Sequence, residues 1–396
     1  MIQKKTIREL CQIIGGNPSP KENEFSKEGI PFVKMMDLGR YHLTNNLIKV
    51  DNKISQDYPK IKSLKTIPKG SILLPRSGSV GLNHRAILGI DAFIVSHICA
   101  LSIIDNHIIH NKYLYYYLTS IDMVSITKQT TGLDAITFED LGKINIPLPH
   151  LETQKKIAVI LDKADELRQN DRKIHEKYDQ LAQIVFQEMF GNQSNDFKDF
   201  RKARLIEVIL EGPQNGLYKP SKSYGKGTPI IRIDSFNNST VNIKKLKRVD
   251  LDENEIGRYE IKESEFLINR VNSMSHLGKC GLVPKINERT VFESNMMRIK
   301  FDPKKVSNFY MLYILSSQFI KNQVIKCSKD AVNQSSINQN DVNSFTIPVP
   351  PIELQKKFNR IIENIEIQKQ LIQISLHKSE ELFQSLLQRA FRGELV

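Results

Sequence analysis

The chain has 396 residues, 40% hydrophobic and 26% charged, which suits two or three soluble globular domains with substantial cores. Its net charge of +13 and pI of about 9.3 point to an anionic partner, nucleic acid first, with a merely basic surface as the alternative. Cys11, Cys99, Cys280 and Cys327 are far apart in sequence, which argues against a CxxC zinc or redox pair and a disulfide scaffold. No run approaches the ~20 apolar residues of a membrane span, and a cytoplasmic location with reduced thiols is expected.

In chain order, residues 1–150 form a first globular part. Ile67–Arg76 has the pattern of a turn, a buried strand and a loop. Ile87–Ile103 is strand-like, and Lys112–Ile121 has helical spacing with an aromatic face. Tyr113, Tyr115, Tyr116 and Tyr117 are expected mostly in the core. After Pro149, apolar residues at Ile157, Ile160, Ala164, Leu167, Ile174, Tyr178, Leu181 and Val185 predict a heptad seam, with Asp171 in the vacant slot. This first long helix is assigned to 151–190. A second globular part follows over 191–351, and a second long helix with the C-terminal tail over 352–396. There the seam runs through Phe358, Ile361, Ile365, Ile372, Leu382 and Leu386, interrupted by Gln368, Ser375 and Ser379. Each helix, about forty residues and roughly 60 Å long, needs a partner, and the other copy is the natural one.

The chain repeats itself. Ile146-Pro-Leu-Pro-His-Leu-Glu-Thr-Gln-Lys-Lys156 returns 201 residues later as Ile347-Pro-Val-Pro-Pro-Ile-Glu-Leu-Gln-Lys-Lys357, and Phe190 returns as Phe391 at the same offset. Upstream the offset drifts. Ile67–Arg76 answers to Ile261–Arg270, and Pro31–Lys34 to Pro229–Arg232. Drifting offsets mark loop insertions, so each half joins a variable globular part to a helix of fixed length.

Two variable domains, each followed by a long helix opened by an I-P-x-P-x-x-E-x-Q-K-K run, resemble the specificity subunits of Type I restriction–modification systems. The C-terminal Ala390-Phe-Arg-Gly-Glu-Leu395 fits the same pattern. The resemblance implies an α+β fold: two mixed α/β target-recognition domains, joined by two long antiparallel helices forming a coiled coil with internal pseudo-two-fold symmetry. It also implies a non-catalytic reader of a bipartite, asymmetric DNA site. Two methyltransferase subunits, and optionally two restriction subunits, would be its partners. S-adenosylmethionine, ATP and magnesium would act in those partners, with no cofactor in this chain. The second variable domain is heavily diverged from the first, so the two half-sites should differ.

Such a reader needs cations for phosphates and amphoteric groups for base edges, on loops that follow strands. In the first domain the candidates are Lys34, Arg76, Ser77, Ser79, Asn83, His84 and Arg85, then Thr130 and Thr131 in a polar loop. In the second they are Arg232, Asn269, Arg270, Asn272, Ser273 and His276, then Asn333 and Gln334. Arg76 and Arg270 are kept in both copies. A position shared by readers of different sequence suits a structural or phosphate-facing role better than base reading. The two polar loops read equally well as simple turns. Leu161, Ile184, Phe186, Ile362 and Leu376 lie off the seam and are candidates for methyltransferase docking.

No N-P-P-Y-like run, dinucleotide-binding glycine turn or P-loop is present. Asp252 with Glu260-Ile261-Lys262 has the look of a metal-dependent nuclease triplet, yet the first copy has no carboxylate at the matching place. No catalytic or metal-binding residue is therefore assigned. An autonomous endonuclease or methyltransferase, and a coiled-coil protein that binds DNA without preference, are the competing readings.

Overall fold

The computed structural model describes residues 3–42, 46–58, 64–126, 128–130, 133–192, 196–197, 200–237, 240–331 and 334–395. The chain divides into two compact units. The first holds residues 1–175 and 372–396, and the second 176–371. The long helices Leu151–Phe190 and Ile352–Arg392 therefore each contribute one part to each unit.

The first unit is built on a five-stranded sheet. Its order is Cys11–Gly15, Ile98–Ile103, Ile72–Pro75, Ala86–Leu88 and Asn46–Leu47, antiparallel except for the last pair. The predicted buried strand is Ile72–Pro75. All four residues are buried because both faces are covered: Leu73 faces one hydrophobic cluster, Ile72 and Leu74 the other. A smaller sheet joins Phe25–Ser26, Lys53–Ile54, Ile30–Val33 and Phe93–Ile94. Gln3–Thr6 pairs with Asn145–Leu148 and so leads the chain directly into the first long helix.

The second unit repeats this plan. Its main sheet runs Ile209–Asn215, Met296–Phe301, Phe266–Asn269, Cys280–Leu282 and Thr240–Val241, with Phe236–Asn237 added at the edge. Phe266 and Ile268 face one cluster and Leu267 another, as in the first unit. Lys202–Arg204 pairs with Thr346–Pro348 ahead of the second long helix.

Within each unit the two helix parts run antiparallel. In the first, the Asp171 carboxylate accepts hydrogen bonds from Ser375 Oγ at 3.1 Å and Ser379 Oγ at 3.0 Å. The polar residues that interrupt the predicted seam thus face one another. Beside them Arg168 bonds Glu380 at 3.0 Å and also pairs with the buried Asp165. In the second unit Lys369 pairs with Asp179 at 2.8 Å, and Phe186 and Phe190 pack on Phe358.

The apolar seam itself differs from the heptad expectation. Leu167, Ile174, Leu181 and Leu382 are exposed, Leu167 by 53%, whereas Ala158, Leu161, Ala182, Phe186, Ile362, Phe383 and Leu387 are buried. Each helix part packs against a globular face as well as against its partner helix. Both contacts together decide which residues are covered, so the buried face departs from a simple 3.5-residue seam. The tyrosine helix Asn111–Ser120 meets the expectation of core tyrosines. Tyr113, Tyr115 and Tyr116 are buried, and Tyr113 and Tyr117 pack on Phe391.

Candidate nucleic-acid interface

Part of the candidate set comes together at one end of each main sheet, where the loop after a central strand meets a polar ribbon. In the first unit the strand Ile72–Pro75 runs out into Arg76. Arg76 N–H donates to His97 O at 2.8 Å, and Ile136 N–H donates to Arg76 O at 2.9 Å. Ser77 bridges Ala135, so the loop after the strand is stitched to the ribbon Lys128–Thr130/Leu133–Ala135. Two stretches that looked separate in sequence are thus neighbours. The second unit has the same stitching. Arg270 N–H donates to Asn295 O at 2.9 Å, Ile337 N–H donates to Arg270 O at 2.9 Å, and Asn272 pairs with Ser335 of the ribbon Lys329–Ala331/Gln334–Ser336.

The side chains depart from this shared frame. Arg76 is exposed, its guanidinium 4.7 Å above the Phe138 ring. Arg270 is half-buried and its Nη1 donates to Ser294 O at 3.1 Å. Ser77 Oγ lies 2.8 Å from His97 Nδ1, and Ser79 Oγ donates to Gly78 O. Asn83 adopts a left-handed turn (φ 52°) and donates to Thr119 O. His84 is half-buried, 4.8 Å from the His42 ring. Lys34 extends its ammonium over Phe25 at 4.1 Å, while its counterpart Arg232 is committed to Glu293 at 3.1 Å. On the second unit Ser273, His276 and Gln334 are exposed, and His276 Nδ1 receives Ser275 Oγ at 2.9 Å. Asn272 Oδ1 accepts from Ser273 N–H.

Two candidates are not on this surface. Arg85 is 1% exposed, and its Nε, Nη1 and Nη2 have no hydrogen-bond partner among the described residues. Burial pushes its guanidinium down to about 9. Asn269 is also buried, its amide turned in towards His276 O. Both sit at the boundary of a buried strand, where a one-residue step carries a side chain from loop to core. Thr131 and Asn333 lie outside the described residues, as does the side chain of Thr130.

Of the docking candidates, Leu161, Phe186 and Ile362 are core residues, which corrects their assignment to an outer face; Ile184 is exposed and Leu376 half-buried. His97 was not anticipated. Its signal was only a histidine before the strand Ile98–Ile103, and its link to Ser77 is made by the fold.

The nuclease-like triplet has structural work. Asp252 caps the helix Glu253–Tyr259 by accepting from Glu255 N–H at 2.8 Å, and Glu260 binds Arg289 at 3.1 Å. Among the described residues no group of three or more His, Cys, Asp or Glu side chains is placed to hold a metal ion. No helix among them is long and apolar enough to cross a membrane. Burial pushes the Cys11 and Cys99 thiols up to about 12 and Cys280 to about 11, far from thiolate reactivity.

The family model for the Type I restriction modification DNA specificity domain matches residues 2–177 and again 198–381. The chain is 27% identical over 273 residues to the Type I restriction enzyme EcoKI specificity subunit of Escherichia coli (strain K12), covering 64% of this chain and 58% of that one. It is 32% identical over 166 residues to the putative MjaX specificity subunit of Methanocaldococcus jannaschii, covering 42% of this chain and 39% of that one. With the StySPI specificity subunit of Salmonella potsdam it shares 23% identity over 418 residues, 98% and 88% of the two chains. The chain thus spans less than two thirds of the first two relatives and most of the third. The crystal structure of a Type-I restriction-modification system S subunit from M. genitalium shares the fold, with a TM-score of 0.56, 18% identity, and 99% and 96% of the chains covered.

Proposed function

Since the chain belongs to the Type I restriction–modification DNA specificity family, we propose that it is the sequence-reading, non-catalytic subunit of such a complex. Each unit reads one half of a split, asymmetric DNA target. The observation that carries this reading is the sheet end built twice: one backbone frame around Arg76 and Arg270, dressed with different side chains. Phosphate contacts from a common frame would fix register, and the divergent residues would supply sequence information. The net charge of +13 supports the same partner.

On this reading the recognition domains are 1–150 and 191–351, and the two long helices, shared between the units, set the number of unread base pairs between half-sites. Their exposed apolar residues, Leu167 and Ile174 in the first unit and Ile184, Ile367 and Leu371 in the second, supply docking area for two methyltransferase subunits. Adenine N6 methylation with S-adenosylmethionine, and any ATP- and magnesium-dependent cleavage by restriction subunits, belong to those partners in the cytoplasm.

The test is a genome-wide map of N6-methyladenine in cells with and without this gene. Loss of one split motif with a fixed gap is the expected result. An unchanged map, with the methyltransferase partner expressed, overturns the proposal.

A further inference from the structure

The segment that leaves the first edge strand of each main sheet runs against a neighbouring segment in the same way. A Cβ on Gly16 would lie 2.0 Å from Val95 O, and one on Gly216 would lie 2.2 Å from Glu293 O. Only glycine fits either close approach. The next residue forms a parallel bridge in both copies, Asn17 with Val95 and Leu217 with Glu293. Asn17 N–H donates to Ile94 O at 2.7 Å and Leu217 N–H to Phe292 O at 2.9 Å.

One residue further the copies part. The first has Pro18; the second has Tyr218, which at 77% is the most exposed large apolar or aromatic side chain among the described residues. Tyr218 is nonetheless firmly mounted. Leu217 O accepts from Ser294 N–H at 2.8 Å, and Lys219 on the other side pairs with Glu255 at 2.8 Å. The mount leads straight to the candidate interface, because Arg270 Nη1 donates to Ser294 O and Arg270 N–H to Asn295 O.

Resting on the reading of the chain as a DNA reader, we infer that Tyr218 is a specificity-determining contact of the second unit, whose ring packs against a base of that half-site. A tyrosine fixed on both sides offers large apolar area with few torsions to freeze on binding. A neighbouring arginine supplies the phosphate or base-edge bond that brings the ring into register. The first unit, with a proline there, has no such contact. The difference falls where a shared frame lets the two readers diverge.

The experiment compares Tyr218→Ala and Tyr218→Phe with the wild-type chain, each assembled with its methyltransferase partner. N6-methyladenine maps come first, followed by competition binding to a duplex carrying the mapped site. An aromatic contact with the groove edge or methyl of a base gives an expected loss of about tenfold for Tyr218→Ala. Tyr218→Phe stays near wild type. The motif relaxes in one half-site only, and the thermal midpoint is unchanged because the ring buries little. Binding and motif identical to wild type in Tyr218→Ala overturn the inference, as does relaxation of both half-sites or a fallen midpoint. A wild-type complex that binds no split motif overturns the parent reading, and this one with it.

Discussion

The two places where a long helix leaves its recognition domain are bonded alike down to their side chains, whereas the two sheet ends share only their backbone bonds. Gln154 Nε2 donates to Ile108 O at 3.0 Å and Pro149 O at 2.9 Å, and its Oε1 accepts from His110 N–H at 2.9 Å. Gln355 makes the corresponding bonds to Lys305 O at 3.2 Å, Pro350 O at 2.8 Å and Ser307 N–H at 2.9 Å. Both side chains are fully buried. Each saturates one backbone donor and two acceptors that would otherwise be stranded, which accounts for the glutamine in the repeated run. The repeated charges beside it, Glu152–Lys155 and Glu353–Lys356, are surface pairs that solvent screens and that contribute little. By contrast, the candidate interface keeps its backbone bonds and changes its side chains. Frame is recognised by bonding that repeats, and reading surface by bonding that diverges on a common frame.

The largest expected effect breaks the frame. Gln154→Leu or Gln355→Leu strips the partner from three backbone groups, part-buried at the first junction and buried or part-buried at the second, so each should cost roughly 3–5 kcal/mol. Denaturant titration should show similar losses for the two variants, and a much smaller loss in one copy would break the equivalence of the junctions. Arg85→Met is the next in size, with the opposite sign. Removing a buried guanidinium that has no partner among the described residues should leave stability unchanged or raise it by about 1–3 kcal/mol. If that variant gained stability yet lost DNA binding, Arg85 would have to leave the core when DNA is bound, and it would return to the reading surface.

A smaller effect depends on pH. Burial and the charges of the neighbouring His84, Arg85 and Arg168 push the His42 imidazole down to about 4, although Arg85 N–H donates to its Nδ1. Unfolded, the ring titrates near 6.5, so between pH 6.5 and 4 the unfolded chain binds the extra proton. Stability is therefore full above pH 6.5 and falls as pH drops towards 4. The loss should be roughly 1–2 kcal/mol once the ring's partial exposure is allowed for. His42→Gln, which keeps an acceptor for Arg85 N–H, should flatten that slope in thermal melts taken across the range.

The repeat was legible as self-similarity at a fixed offset, and the buried strands and tyrosine core as local periodicity. The duplicated Ile-Pro run marked the glutamine junctions, though nothing local named their partners at Ile108 or Lys305, which lie more than forty residues away. The helix face was misplaced for the same reason. Leu167 continues an apolar spacing and Leu161 interrupts it, and only the globular surface decides which of them is covered. At the interface, sequence located the loops but not the direction of side chains at strand ends. Hence Arg85 and Asn269 were expected outside, and His97 was missed.

The smallest effect concerns the arginine that both copies keep at the sheet end. Its backbone bonds repeat, which places Arg76 and Arg270 with the frame, and a frame cation facing DNA should meet phosphate. Arg76→Ala should then weaken binding of all duplexes alike, leave the methylated motif intact, and lower the magnitude of the salt slope by about one. Arg270→Ala should do less, because its guanidinium is already tied to Ser294 O whereas that of Arg76 lies over Phe138. Binding of cognate and scrambled duplexes across a salt series separates the cases. A cognate-specific loss in either variant, with the motif relaxing at one position, would move that arginine from frame to reader and show that a position shared by both copies can still read a base.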